Sequence, residues 1–207
     1  MTTPADIVTS IAVVGNGPVG YRDSRMIDTC DLVMRFNKAK YGGVFGRRTD
    51  IMVVPEMERT GRMRFNRRAF TSATEFWLGS LPSPTAMNNG ERCTRGKTIR
   101  LLDKAASANL IAPFTYLPGK EPSAGAMGIQ LILELYPQAT IHLFGFSHHG
   151  NRWHDWHAER DWCDSLVQAG RIHRHRTADN GLQKTMFAFK RGFVRFFENI
   201  AEGRPID

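Results

Sequence analysis

Cysteine is scarce in this chain. Cys30, Cys93 and Cys163 are the only three in 207 residues. They are too few and too dispersed for a disulfide framework or a four-ligand zinc site, so a reduced setting is expected. Long apolar runs are also missing. Mean hydropathy is −0.34, and no stretch approaches the roughly 18 apolar residues that a membrane span needs. Met1 to Ser10 has no cationic segment followed by an apolar one, so no secretory signal is expected, and the expected location is cytoplasmic. There is no internal repeat and no low-complexity tract. Acidic residues are short relative to basic ones: 20 Asp+Glu stand against 28 Lys+Arg, a net charge of +8. That balance points to an anionic partner, whether nucleic acid, a membrane surface or a phosphorylated substrate.

What is present is ordinary globular protein. An apolar fraction of 42% in 207 residues suffices for one well-packed core, so residues 1–207 are read as a single domain. Ile7–Val14, Asp31–Phe36, Asp50–Val54, Glu75–Leu78 and Thr140–Phe146 are short apolar runs bounded by turn residues, which predicts buried strands. Ala126–Leu135 is predicted as a helix with Ser123 as N-cap, stopped by Pro137. Trp153–Ala169 is predicted as a second helix closing at Gly170, and Thr98–Asn109 and Asn180–Glu202 as two more. Leu110–Leu117 reads as an interrupted strand. Leu81–Arg100 reads as loop. Continuous apolar strands alternating with helices predict an α/β fold, a Rossmann-like, mostly parallel sheet flanked by helices. Ligands in such folds sit beyond the carboxyl ends of the strands, at a topological switch point.

Four motifs fall after predicted strands. Gly15-Asn16-Gly17-Pro18-Val19-Gly20 is a glycine turn in which backbone N–H groups can approach a phosphate. It fits a dinucleotide fingerprint poorly. Pro18 has no N–H, and Arg35 and Asn37 stand where an acidic residue belongs. The alternative is a tight turn without a ligand. Arg35-Phe36-Asn37, followed by Gly46-Arg47-Arg48-Thr49-Asp50, offers Asn37 to a ribose, base or phosphate. Turn capping and a solvated arginine pair are the plainer readings. Pro122-Ser123-Ala124-Gly125 at a helix start joins a hydroxyl to helical N–H groups, an anion site or simply a cap. The fourth motif is histidine-rich: His148, His149, His154 and His157, with Asp155, Glu159 and Asp161 nearby. No His-Glu-x-x-His stands there, so acid–base chemistry is expected and no metal.

Taken in order, these pieces resemble the sialyltransferases of glycosyltransferase family 29. Ile11–Glu56 (IAVVGNGPVGYRDSRMIDTCDLVMRFNKAKYGGVFGRRTDIMVVPE) is similar to the large sialyl motif. Pro122–Phe146 (PSAGAMGIQLILELYPQATIHLFGF) is similar to the small one. His154–Glu159 resembles the His-x4-Glu motif, and His148-His149 falls where the short histidine-led motif belongs. The glycine turn is shared with family 42, but Gly46–Thr49 and Val54–Glu56 favour family 29. The chain departs from animal members in lacking both cysteines of their inter-motif disulfide, at Ile11 and around Tyr136-Pro137. It also reads Ser123-Ala124-Gly125 for Ser-Thr-Gly. It resembles a minimal bacterial or viral member.

The resemblance implies inverting, metal-independent transfer of sialic acid or a related ulosonic acid (Kdo) from a CMP-activated donor to a glycan or glycolipid hydroxyl. No cofactor is expected beyond that donor. It implies His154 as base and Glu159 as orienting residue, with His149, and His148 second, donating to the leaving phosphate. Asn16 and Asn37 would hold phosphate and nucleotide on the Gly15–Gly17 turn. Ser123, Ala124 and Gly125 would contact ribose and base. Lys184–Phe197 carries five Phe and four cations, either a packed helix or a peripheral contact with an anionic inner membrane. The other classes are a nucleotide-dependent enzyme of another kind, such as an NAD-linked reductase, and a nucleic-acid-binding module resting on the charge and Arg171–Arg176. Neither has a supporting motif, and no nucleic acid is expected.

Overall fold

The computed structural model describes residues 7–36, 39–54, 67–78, 96–102, 119–148 and 153–175. The five inner strands of its sheet are mostly buried, as their continuous apolar runs require, whereas the two edge strands are more exposed. β1 (Ser10–Val14), β2 (Leu32–Phe36), β3 (Ile51–Val54), β4 (Glu75–Leu78), β5 (Thr98–Leu101), β6 (Thr140–Phe144) and β7 (Ile172–Arg174) form one sheet in the order β5-β4-β3-β2-β1-β6-β7. Every pairing is parallel. The α/β sheet flanked by helices is therefore the one expected, with no antiparallel strand among the described residues.

Side chains alternate between two covered faces. Ile11, Val13, Met34, Ile51, Val53, Ile141 and Leu143 pack with Ala126, Ile129 and Ile132 of α3 (Ala124–Leu135) and with Trp162 and Cys163 of α4 (Trp156–Gln168). Ala12, Val14, Val33 and Phe144 pack on Ile27 of α1 (Asp23–Thr29). Met52, Val54, Phe76 and Leu78 pack on Ala69 and Phe70 of α2 (Arg67–Ser72). Each fully buried Val, Leu, Ile, Phe or Met among them contributes about 1.5–3 kcal/mol. The first two helices thus lie on one face and the last two on the other. Right-handed crossovers running outward from β1 in both directions require this division. The switch point is the gap between β1 and β6.

One prediction is corrected. Thr98–Leu101 is an edge strand, not the start of a helix. The Glu75 carboxylate accepts from Trp77 Nε1 at 2.7 Å and from Arg100 Nε at 2.9 Å, joining β5 to β4. Leu110–Leu117 and Asn180–Glu202, like the membrane segment Lys184–Phe197, lie outside the described residues. Among the described residues no helix is long and apolar enough to cross a membrane.

The Arg35 and Arg48 parts of the second motif are scaffolding. Arg35 is fully buried and donates to the carbonyls of Arg48 (2.8 Å), Lys40 (3.1 Å) and Phe45 (2.6 Å). Burial draws its pKa down to about 10, which leaves it cationic at neutral pH. Arg48 donates to the carbonyls of Asp28, Cys30 and Asp31 past the end of α1 and pairs with Asp50 at 3.0 Å. A cation there satisfies the orphan carbonyls of a helix C-terminus. Only Arg47 matches the solvated reading, and its N–H bonds to Asp28.

Candidate functional site

Two loops meet at the switch point. The Gly15 N–H donates to the Phe144 carbonyl and the Gly17 N–H to the Gly145 carbonyl, both at 2.8 Å. These amides therefore stitch the end of β1 to the end of β6 and do not form the phosphate cradle anticipated from the sequence. The approach is too close for side chains. A Cβ on Gly17 would stand 2.4 Å from the Gly145 oxygen, and Gly145 itself has φ +67°. Asn16 is exposed above the turn and donates from Nδ2 to the Phe36 carbonyl at 3.4 Å. Asn37, the next residue, and His149 lie outside the described residues.

α3 begins at the same crevice. A Cβ on Gly125 would stand 2.9 Å from the Phe146 ring, and one on Gly128 would stand 2.7 Å from Phe36. Phe36 and Phe146 meet edge to face, with centroids 5.9 Å apart. Ser123 is the N-cap, its Oγ accepting from Ala126 N–H at 3.1 Å. The hydroxyl also donates to Glu159 Oε2, and the Ser123 N–H donates to Oε1, both at 2.7 Å. Glu159, in the first turn of α4, is 2% exposed. Its carboxylate occupies the place where a helix N-terminus would draw a phosphate. The N–H groups of Ala124 and Gly125 have no partner among the described residues. Burial raises the Glu159 pKa, opposed by the two Ser123 hydrogen bonds and the charge of His154, and reinforced by Asp155.

The loop before α4 is pinned to the segment before α3. Glu121 N–H donates to the Trp153 carbonyl at 3.1 Å. His154 Nδ1 lies 2.8 Å from the Glu121 carbonyl. A carbonyl only accepts, so Nδ1 carries the proton and Nε2 keeps its lone pair in the neutral ring. Trp156 packs edge-on against His154 at 5.1 Å. Asp155 caps α4 through Ala158 N–H at 3.2 Å. Ser123, His154 and Glu159 are thus joined into one site by Glu121, whose contribution is a backbone carbonyl that no side-chain pattern reveals. His157 is exposed beside it.

His148 follows β6. It is buried, has φ +46°, and its ring stands 6.1 Å from that of Phe146. Arg174 of β7 places Nη2 3.1 Å from His148 Nε2. Sequence reasoning had assigned Arg174 only to a basic run. Its described part is split between the two sheet faces. His175 instead stacks on Phe144 at 4.3 Å and lies 3.0 Å from His142 Nδ1. Burial lowers the pKa of both histidines. Among the described residues no group of three or more His, Cys, Asp or Glu is arranged to hold a metal.

A parallel sheet with its crevice at the β1/β6 switch point is an α/β architecture of the doubly wound kind. The fold is similar to that of a mammalian sialyltransferase, with a TM-score of 0.54 and 18% identity over 80% of this chain and 68% of that one. The sialyltransferase CST-II, solved with a trisaccharide acceptor and CMP, gives a TM-score of 0.47 and 10% identity over 81% of each chain. No family model matches the chain. The chain is 30% identical to the urease operon 23 kDa accessory protein of Rhizobium meliloti (strain 1021), over 79% of this chain and 91% of that protein. It belongs to the family of that accessory protein.

Proposed function

We propose that this chain is an inverting, metal-independent glycosyltransferase that moves sialic acid or a related ulosonic acid such as Kdo from its CMP-activated donor to a glycan or glycolipid hydroxyl. The observation that carries the reading is the fixed His154 tautomer beside the α3 N-terminus at the switch point. The family-29 resemblance and the shared fold support it. His154 Nε2 takes the proton of the acceptor hydroxyl. The acceptor oxygen bonds to the anomeric carbon from one face as the bond to the CMP phosphate breaks on the other. The electron pair leaves on the phosphate oxygen. His148, with His149, donates to that oxygen. Asn16 and Asn37 hold the phosphate side. Because Glu159 fills the anion position, Ser123, Ala124 and Gly125 meet the ribose and base, groups that present hydroxyl and carbonyl oxygens as acceptors for the helix N–H groups. Trp153, 54% exposed, gives the acceptor sugar an apolar face. The excess of positive charge draws in the anionic donor and an anionic membrane bearing the acceptor.

His154→Ala is expected to lower transfer from CMP-sugars by at least 100-fold, the usual contribution of a general base, while CMP binding by calorimetry stays within about twofold. Loss of CMP binding together with activity would assign His154 to the nucleotide and not to the proton.

A second reading follows from the relative, whose name ties it to a urease operon. In it the chain serves urease as an accessory protein. Deleting the gene and measuring urease activity separates the two. If His154→Ala restores urease as well as wild type does, the accessory role does not use the catalytic site.

A further inference from the structure

The register of the last two strands sets four rings in a block. β6 and β7 pair with Ile141 beside Ile172, His142 beside His173 and Leu143 beside Arg174. Side chains alternate between the faces of a sheet, so His142 and Phe144 share one face with His173 and His175. The His142 ring stacks on His173 at 5.5 Å and stands 5.2 Å from His175 on the diagonal. His175 stacks in turn on Phe144. His142 Nδ1 and His175 Nε2 are 3.0 Å apart. One of these nitrogens must donate and the other accept, so at least one of the two rings is neutral whenever the bond is made. Burial is the largest cause that lowers the pKa of His142 and of His175. His173 lowers both further, His175 lowers His142, and Asp23 of α1 acts in the raising direction on His175. Arg174, between His173 and His175, lies on the other face and pairs with Asp164 of α4 at 2.5 Å. Arg171, before β7, is exposed.

We propose that His142, His173 and His175 form a proton-operated latch on the β7 edge of the sheet: neutral rings hold β7 closed, and uptake of further protons by the three opens it. β7 has three residues and lies at the end of the strand order, where local opening is least costly. With the bond made, His142 and His175 together carry at most one added proton, and His173, stacked on His142, resists a second charge. Opened, each ring titrates near its ordinary value of about 6.5. The open form therefore binds more protons. The latch is held above about pH 6.5 and loosens as pH falls below it. Opening draws Arg174 away from Asp164 and from His148 Nε2, which lies 3.1 Å from its Nη2. Acid taken up on one face of the sheet is thus read out on the other, whatever reaction the chain performs.

The test follows amide hydrogen exchange of the full chain from slightly alkaline to mildly acid pH, corrected for intrinsic exchange rates. The probe is the His175 N–H, which donates to the Leu143 carbonyl at 2.9 Å. The reference is the Asp50 N–H, which donates to the Val33 carbonyl at 2.8 Å between β2 and β3. In wild type the protection of the probe relative to the reference is expected to fall at least about tenfold between about pH 7.5 and about pH 5, the effect of one extra proton bound on opening. His142→Asn combined with His175→Gln puts amide groups where the two ring nitrogens stand and removes both titrations. In that variant the ratio is expected to vary by less than about twofold over the same range. A wild-type ratio that does not change with pH overturns the latch, and so does a ratio that falls as steeply in the double variant. If the variant loses protection at both amides even at neutral pH, the ring-proton titrations of wild type decide. Midpoints below about 6 for His142 and His175 support the latch, and three independent midpoints at about 6.5 overturn it.

Discussion

At the residue scale the site is a set of hydrogen-bonded polar groups at the start of two helices. Glu159 and Asp31 show opposite electrostatics in one chain. Asp31, outside the core, accepts from Thr9 N–H and Oγ1 at 2.8 Å and from Ser10 N–H at 3.0 Å, which lowers its pKa to about 2. A depressed folded value gives stability that is present above the unfolded carboxyl pKa, near 4, and lost as pH falls toward 2. Glu159, desolvated, is raised. Its contribution is present below the unfolded value and lost as pH rises through the folded one. Urea unfolding followed against pH is expected to lose the first dependence in Asp31→Asn and the second in Glu159→Gln. Glu159→Ala leaves the Ser123 N–H and hydroxyl without their acceptor and is expected to cost about 1–3 kcal/mol. An unchanged unfolding midpoint would detach Glu159 from the α3 cap. The spacing of His154 and Glu159 was visible in the chain. The Glu121 carbonyl and the Arg174 side chain were not, because one is backbone and the other comes from a strand far along the sequence.

At the scale of elements, the strands were legible because burial on both faces demands continuous apolar runs, as in Ile51–Val54. The Ser123 cap and the Gly170 stop, with φ +68°, were legible for the same local reasons. Thr98–Leu101 was misread because Leu101, Leu102, Ala105 and Ala106 mimic a helix, whereas the Glu75–Arg100 pairing that makes the strand is non-local. The start of α4 was placed too early, since Asp155 and not the tryptophan before it closes the first turn. The glycines divide by what they approach. Gly17→Ala drives a Cβ against the backbone oxygen of Gly145, whereas Gly128→Ala meets the Phe36 ring, which can turn. Unfolding free energies from denaturant titration are expected to fall by about 3 kcal/mol or more for Gly17→Ala and by about 1 kcal/mol for Gly128→Ala. The reverse ranking would mean that the β1–β6 stitch yields more easily than the helix contact.

At the scale of the molecule, the order β5-β4-β3-β2-β1-β6-β7 brings together motifs separated by more than a hundred residues. Gly15–Gly17, Ser123–Gly125, His148 and His154–Glu159 meet only because β6 returns to β1. Alternation of strands and helices implied the class of fold, and the place of β6 followed only from the structure. The shared sheet does not by itself decide the ligand, and the positive charge is common to several. The most direct measurement of the central claim is a thermal-unfolding panel of the full chain with CMP, CDP, UDP, NAD and short DNA at equal ionic strength. A ligand present at a hundred times its Kd adds about 2.7 kcal/mol, or roughly 5–10 °C in Tm for a chain of this size. CMP and CDP are expected to give that shift in wild type and in His154→Ala alike, with UDP, NAD and DNA giving none. No shift with the cytidine nucleotides, or an equal one with NAD or DNA, would contradict the account.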